Sequence, residues 1–106
     1  MSGDAEQIIS ELRMRLQAVY GDRLVRLIVF GSEARGEADP DSDIDVLVVL
    51  KGPVRAGLEV ARVGQIKADL CLRHSRVVSC AFMDEHRFLY RNGPLLRNIR
   101  REGVAV

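Results

Sequence analysis

Two cysteines, three prolines and no tryptophan occur in the 106 residues; aromatic residues make up 5%, and the charges nearly cancel at +1. Each shortage narrows the reading. Cys71 and Cys80 sit in apolar stretches without metal-ligand spacing, so they are expected to be buried reduced thiols. The small net charge gives no global drive toward nucleic acid or an acidic membrane. No secretory leader and no membrane-length apolar run is visible, the longest apolar runs being strand length. A cytoplasmic protein without membrane association is expected on that ground alone. His74 and His86 lack a paired-ligand pattern, which favours loop or surface roles. No repeat, linker or low-complexity stretch divides the chain, so residues 1–106 read as a single domain with a modest core.

What is present is strongly periodic. Asp4 to Tyr20 reads as a helix whose apolar stripe is Ile8, Ile9, Leu12, Leu16, Val19 and Tyr20. Leu24 to Phe30 is short, apolar and β-branched, which predicts a buried strand. Asp43 to Leu50 has almost no polar residue after Asp45 and predicts a second strand. Gly52-Pro53 breaks the chain, and Arg55 to Arg73 then reads as a helix with Val60, Val63, Ile66 and Leu70 inward. Its charges, including Glu59, Arg62, Lys67 and Asp69, are expected on a solvated face. Arg76 to Met83 reads as a third strand, Asp84 to Arg91 as a short helix and Leu95 to Arg101 as another. Val104 to Val106 could add an edge strand. The order predicts an α/β (α+β) fold, a small mixed β-sheet packed by helices.

The chemistry lies between the first two strands. Gly31-Ser32 ends the first. Gly31 permits a sharp turn and close approach of a ligand. Ser32 is expected to cap a short helix begun by Glu33-Ala34-Arg35. Free amides at a helix start favour an anion, and the Ser32 hydroxyl can add a hydrogen bond. Arg35 lies near enough in sequence to offer a guanidinium to a phosphate tail. Taken alone this is an ordinary strand-to-helix turn.

The second half changes its weight. Ala38-Asp39-Pro40-Asp41-Ser42 is a turn by composition. Asp43 and Asp45 follow at i and i+2 of a strand, so both carboxylates point to one face, with Cα atoms about 6.5–7 Å apart. Ile44 and Val46 then point into the core. Like charges so placed repel unless a cation sits between them. Paired carboxylates suit magnesium, which takes oxygen ligands and keeps substrate phosphates in its shell. Asp41 also precedes Asp43 by two, but after Pro40 it reads as a solvated turn residue. The two halves together describe a site for metal-assisted nucleotide transfer.

Gly31-Ser32, ten residues, then Asp43-Ile44-Asp45, with Ala34-Arg35-Gly36 and Ser42 in the surrounding wording, resembles the nucleotidyltransferase superfamily that includes DNA polymerase β. The pattern most resembles the minimal, single-domain nucleotidyltransferases. The resemblance is dense over Arg26 to Leu50. It implies a polymerase β-like nucleotidyltransferase fold, with Gly31 and Ser32 binding the triphosphate and Asp43 and Asp45 holding Mg2+ and serving catalysis. The implied reaction is attack of an acceptor hydroxyl on the α-phosphorus of ATP or another NTP, with pyrophosphate leaving.

One departure bears on turnover. Active members of the family carry a third carboxylate on a later strand, expected here near Ser79, and no acid lies within Arg76 to Met83. Asp69, Asp84 and Glu85 could substitute only under a different alignment, and Asp84-Glu85 reads as the capping start of the next helix. Two functions therefore stand side by side. One is an enzyme that transfers a nucleotide, AMP in the first instance, to a hydroxyl on a partner protein. The other is a weak or inactive antitoxin that restrains a helical HEPN-type ribonuclease by contact. Homo-oligomerisation stays open. Arg91, Arg97, Arg100 and Arg101 bias the C-terminal part toward positive charge, but without interleaved aromatics they read as a surface helix rather than an RNA site.

Overall fold

The computed structural model describes residues 1–39 and 41–106. Of the turn expected over 38–42, Pro40 lies outside the described residues. Helix α1 (Gly3–Tyr20) and a short 3-10 turn (Gly21–Arg23) lead into β1 (Leu24–Phe30). A four-residue helix α2 (Ser32–Arg35) follows, then β2 (Ile44–Leu50), α3 (Ala56–His74) and β3 (Val78–Asp84). The chain ends in α4 (Glu85–Tyr90), α5 (Pro94–Glu102) and β4 (Val104–Ala105).

The sheet has four strands in the order β3-β2-β1-β4. β1 runs antiparallel to both β2 and β4, and β2 runs parallel to β3, so the sheet is mixed as expected. Its centre explains the composition of β2. Ile44, Val46, Val48 and Leu50 bury against α1 and α3, together with Leu27 and Val29. Leu47 and Val49 bury on the opposite face against Leu96 and Ile99 of α5. A strand covered on both sides has no reason to alternate with polar residues, and β2 does so only at Asp45.

The helices follow their stripes with three corrections. Val19 and Val60 are 43% and 46% exposed, each lying at the margin of its helix's buried arc rather than inside it. Glu59, expected on the solvated face of α3, is 2% exposed. It accepts hydrogen bonds from the Tyr20 hydroxyl at 2.9 Å and from Arg62 at 3.1 Å, so two donors offset its desolvation. Burial, with Glu59 beside it, raises the Tyr20 hydroxyl pKa above its ordinary value. His74 ends α3 and is mostly buried, with Nε2 3.3 Å from Glu11 Oε2, rather than lying free on the surface. Cys71 and Cys80 are unpaired but half-buried, short of the full burial expected; burial pushes the Cys80 thiol to about 11. No helix among the described residues is long and apolar enough to cross a membrane.

This burial pattern makes two substitutions diverge. Leu12→Ala empties a fully buried site between α1 and the sheet and is expected to cost about 2–5 kcal/mol in urea unfolding. Leu72→Ala, on the outer face of α3 at 84% exposure, should stay within about 0.5 kcal/mol of wild type.

Candidate functional site

The C-terminal end of β1 and the N-terminal end of β2 meet where the antiparallel register pairs Phe30 with Asp45. Gly31 leaves β1 at φ 72°, ψ −150°, a backbone region essentially confined to glycine. A Cβ placed there would lie 2.6 Å from Asp45 Oδ2. The backbone of the turn and the carboxylate of β2 are thus in direct apposition, because position 31 has no side chain.

Ser32 does not cap α2; Gly31 occupies the capping position and no side chain caps the turn. This corrects the expected cap. The reason is the glycine-only backbone turn at Gly31, which starts the helix one residue earlier. The amides that open such a turn have no intrahelical acceptor. Gly36 closes it in the left-handed region, its N–H directed to the carbonyls of Glu33 and Ser32.

Asp45 projects on the face opposite Ile44 and Val46, which are fully buried. Asp43 lies one residue before β2 and is exposed, so the strand begins slightly later than expected. Burial raises the pKa of Asp45, the neighbouring Asp43 charge raises it further, and Arg35 partly opposes both. Among the described residues no hydrogen bond offsets this burial. The two carboxylates therefore form an under-compensated anionic pair, the condition that a cation relieves. Among the described residues no group of three or more His, Cys, Asp and Glu side chains could hold a metal.

Arg35 is turned elsewhere. Its Nε donates to Glu37 at 3.0 Å and its Nη1 to Glu102 at 3.3 Å, and both carboxylates raise its pKa. It reaches the Asp pair through its field while its hydrogen bonds go to these two glutamates.

The parallel register of β2 and β3 pairs Asp45 with Ser79. Ser79 thus occupies the strand position beside Asp45, where the third acid was expected. The three acids considered as substitutes lie away from it. Asp84 pairs with Leu50 at the far end of the strands and caps α4 by accepting from the Arg87 amide at 2.8 Å. Glu85 starts that helix. Asp69 is on α3, bonded to Arg15 at 2.8 Å, which with Gln65 lowers its pKa. Asp41 is an exposed turn residue whose amide donates to Asp39 Oδ1 at 2.9 Å. The C-terminal arginines make internal contacts: Arg97 and Arg100 bond to Asn92, and Arg101 to Asn98.

Residues 6–102 match the nucleotidyltransferase domain family. The chain belongs to that family. It is 30% identical over 87 residues to "Putative protein adenylyltransferase MJ0141" of Methanocaldococcus jannaschii, covering 74% of this chain and 88% of the relative. A solved structure described as a "putative minimal nucleotidyltransferase" shares 32% identity and superposes at TM-score 0.58, covering 100% of this chain and 97% of that one. A toxin-antitoxin crystal structure with AMP-PNP superposes at TM-score 0.60 with 19% identity, covering 91% of this chain and 69% of that one; this likeness concerns the fold alone. The expected fold class and family are therefore established, and the four-stranded mixed sheet packed by helices is the nucleotidyltransferase fold.

Two residues of this nucleotidyltransferase domain escaped the reading of its sequence. Glu33, inside the turn, and Arg76, just before β3, are both buried and form an ion pair at 3.0 Å. The available signal was a glutamate in the Gly-Ser turn and an arginine at the mouth of an apolar strand, each of which also suits an exposed position.

Gly31→Ala forces a side chain into both a glycine-only backbone region and the Asp45 carboxylate. A loss of about 1–3 kcal/mol in denaturant unfolding is expected. Asp45→Asn should act in the opposite direction when no metal is present. The folded-state pKa of Asp45 is raised, so its charge costs stability above that pKa and the cost disappears below the unfolded value near ~3.9. Thermal melts in a chelator should show Asp45→Asn melting higher than wild type at pH 7, the gain shrinking as pH falls toward the unfolded-state value.

Proposed function

We propose that residues 1–106 form one nucleotidyltransferase domain that binds Mg·NTP and transfers a nucleotide, AMP from ATP in the first instance, to a hydroxyl on a partner protein. The observation that carries this reading is the apposition of Gly31 and Asp45, with the Asp45 carboxylate 2.6 Å from where a Cβ would stand. It supports Gly31 and Ser32 as the phosphate-binding turn and Asp43 and Asp45 as both the metal-holding and the catalytic carboxylates. The donor set fits a hard divalent cation: two oxygen ligands, one of them desolvated and unbonded, leave positions for water and substrate phosphates. When bound, the metal would polarise the phosphate oxygens and neutralise charge developing on the attacking and leaving oxygens.

The chain's own contribution is placement. Gly31 lets the triphosphate approach the backbone, and the Ser32 hydroxyl, free of any capping role, can donate to a phosphate oxygen. Arg35 adds positive potential and would have to leave Glu37 or Glu102 to bond a phosphate directly. In the transfer, the acceptor oxygen bonds to the α-phosphorus as the bond to pyrophosphate breaks, and pyrophosphate leaves with that electron pair. Ser79 is a poor base at neutral pH, so the hydroxyl proton passes to solvent or to a base carried by the acceptor. The protein acceptor draws support from the relative named as a protein adenylyltransferase.

A second reading is favoured by a specific observation. Ser79 stands in register with Asp45 where the third acid was expected. A site short of one carboxylate would transfer slowly, and contact with a helical HEPN-type partner could then be the function. The toxin-antitoxin setting of a protein with this fold supports considering it. A cytoplasmic setting suits either role.

Calorimetric titration with ATP separates working from degenerate sites. Binding that requires magnesium in wild type and vanishes in Asp45→Asn is expected; magnesium-independent binding, equal in both proteins, would discard the metal assignment. Ser79→Asp should tighten magnesium-dependent binding and raise transfer of label from α-labelled ATP to a co-purified partner. A partner restrained equally well by Asp45→Asn would favour contact over transfer.

A further inference from the structure

Arg76 lies between three segments that carry the site. Its side chain is 4% exposed. Nη1 donates to Glu33 Oε1 at 3.0 Å and to Asp4 Oδ2 at 3.2 Å, and Nη2 donates to the Ser42 carbonyl at 2.7 Å. Glu33 follows Ser32 directly and Ser42 precedes Asp43 directly, while Arg76 itself stands two residues before β3. The Ser2 hydroxyl donates to the same Glu33 oxygen at 2.7 Å. Alongside, the Ile44 amide donates to the Val77 carbonyl at 2.9 Å. One guanidinium thus ties the Gly-Ser turn, the end of the loop before the carboxylates and the mouth of β3.

The chemistry of this tie is selective. A guanidinium presents donors in a rigid planar fork, so it can hold a carboxylate on one edge and a carbonyl on another at once. An ammonium carries its three donors on one nitrogen and lacks the two separated nitrogens that make these contacts. Burial disfavours the charge on Glu33, but hydrogen bonds from Ser2 and Arg76 outweigh it and hold its carboxyl below the usual range. Nε of Arg76 is buried and has no hydrogen-bond partner among the described residues, so the fork is not placed to satisfy itself fully. A buried ion pair is weak evidence for stability, since well-packed apolar side chains often serve as well. Its particular property is a fixed geometry.

We propose that Arg76, through Glu33 and the Ser42 carbonyl, is a positioning residue that holds Asp43 and the Gly31-Ser32 turn in the arrangement needed for metal-dependent nucleotide binding. This rests on the reading of Asp43 and Asp45 as metal ligands. Residues coupled in this way to metal ligands commonly change metal affinity by roughly 10–100-fold when removed.

The test uses Arg76→Lys and the paired apolar variant Glu33→Met/Arg76→Met, beside wild type and Asp45→Asn. Manganese-dependent ATP binding is followed by electron paramagnetic resonance, folding by thermal melting and backbone opening by deuterium exchange. The expected result is cooperative melting in at least one Arg76 variant, binding weakened by roughly 10–100-fold there, and faster exchange confined to residues 31–36 and 41–45. Wild-type affinity in a folded Arg76 variant overturns the proposal and leaves the site reading intact. Failure of both variants to fold also overturns it, since the pair would then serve folding. Equal binding by wild type and Asp45→Asn, or none by wild type, overturns the site reading and the positioning role with it.

Discussion

Burial of β2 on both faces is the constraint from which the rest follows. Ile44, Val46, Val48 and Leu50 fill the core against α1 and α3, while Leu47 and Val49 meet α5. Side chains alternate strictly along a strand, so sending Ile44 and Val46 inward leaves Asp45 only the other face. At the end of the sheet that face ceases to be covered, and a carboxylate can remain partly wet. The charge of Asp45 is thus a consequence of core packing several residues away. Its local environment penalises it, and hydrophobic burial of its neighbours keeps it where it is.

Around that strand the site is assembled by approach rather than by a dense set of ligands. Gly31 gives the Asp45 carboxylate room against the backbone, Asp43 adds a second charge, and Arg35 supplies a distant counter-charge. Such a site is electrostatically unfinished. The position on β3 that faces Asp45 in register is Ser79, a neutral side chain. The family membership and the serine at this position pull in different directions, toward transfer and toward contact.

Much of this was legible in the residues. The α1 stripe apart from Val19, the two strands flanking the Gly-Ser turn and the order of elements follow from period and spacing, because long periodic segments have one good way to bury their apolar side; the place of Ser79 was implied by the family resemblance. The misreadings have three causes. Val19 and Val60 fit the helical period but fall at its edge, where a rotation of the helix decides exposure. Glu59 and Glu33 are charged, and charge normally implies solvent; each is buried because a distant residue, Tyr20 or Arg76, supplies its hydrogen bond. Ser32 lost its capping role to the backbone of Gly31, a choice made by dihedral angles that no side-chain pattern encodes. Pairings across tens of residues leave no periodic trace.

The pairing of Phe30 with Asp45 carries a consequence for how this chain can change its length. Adding or deleting one residue within β2 would exchange its two faces, turning the carboxylate inward and a valine outward in a single step. An odd change there therefore needs a bulge to absorb it, as the register shift of β1 between Leu24 and Arg26 does at the other end of the pair. Among the described residues, 37–39 and 41–42 lie outside the sheet and obey no such parity, with Glu37 and Ser42 held by hydrogen bonds at either end. The strands keep their count for that reason, and the ten residues from Glu33 to Ser42 set the span between the turn and the carboxylates.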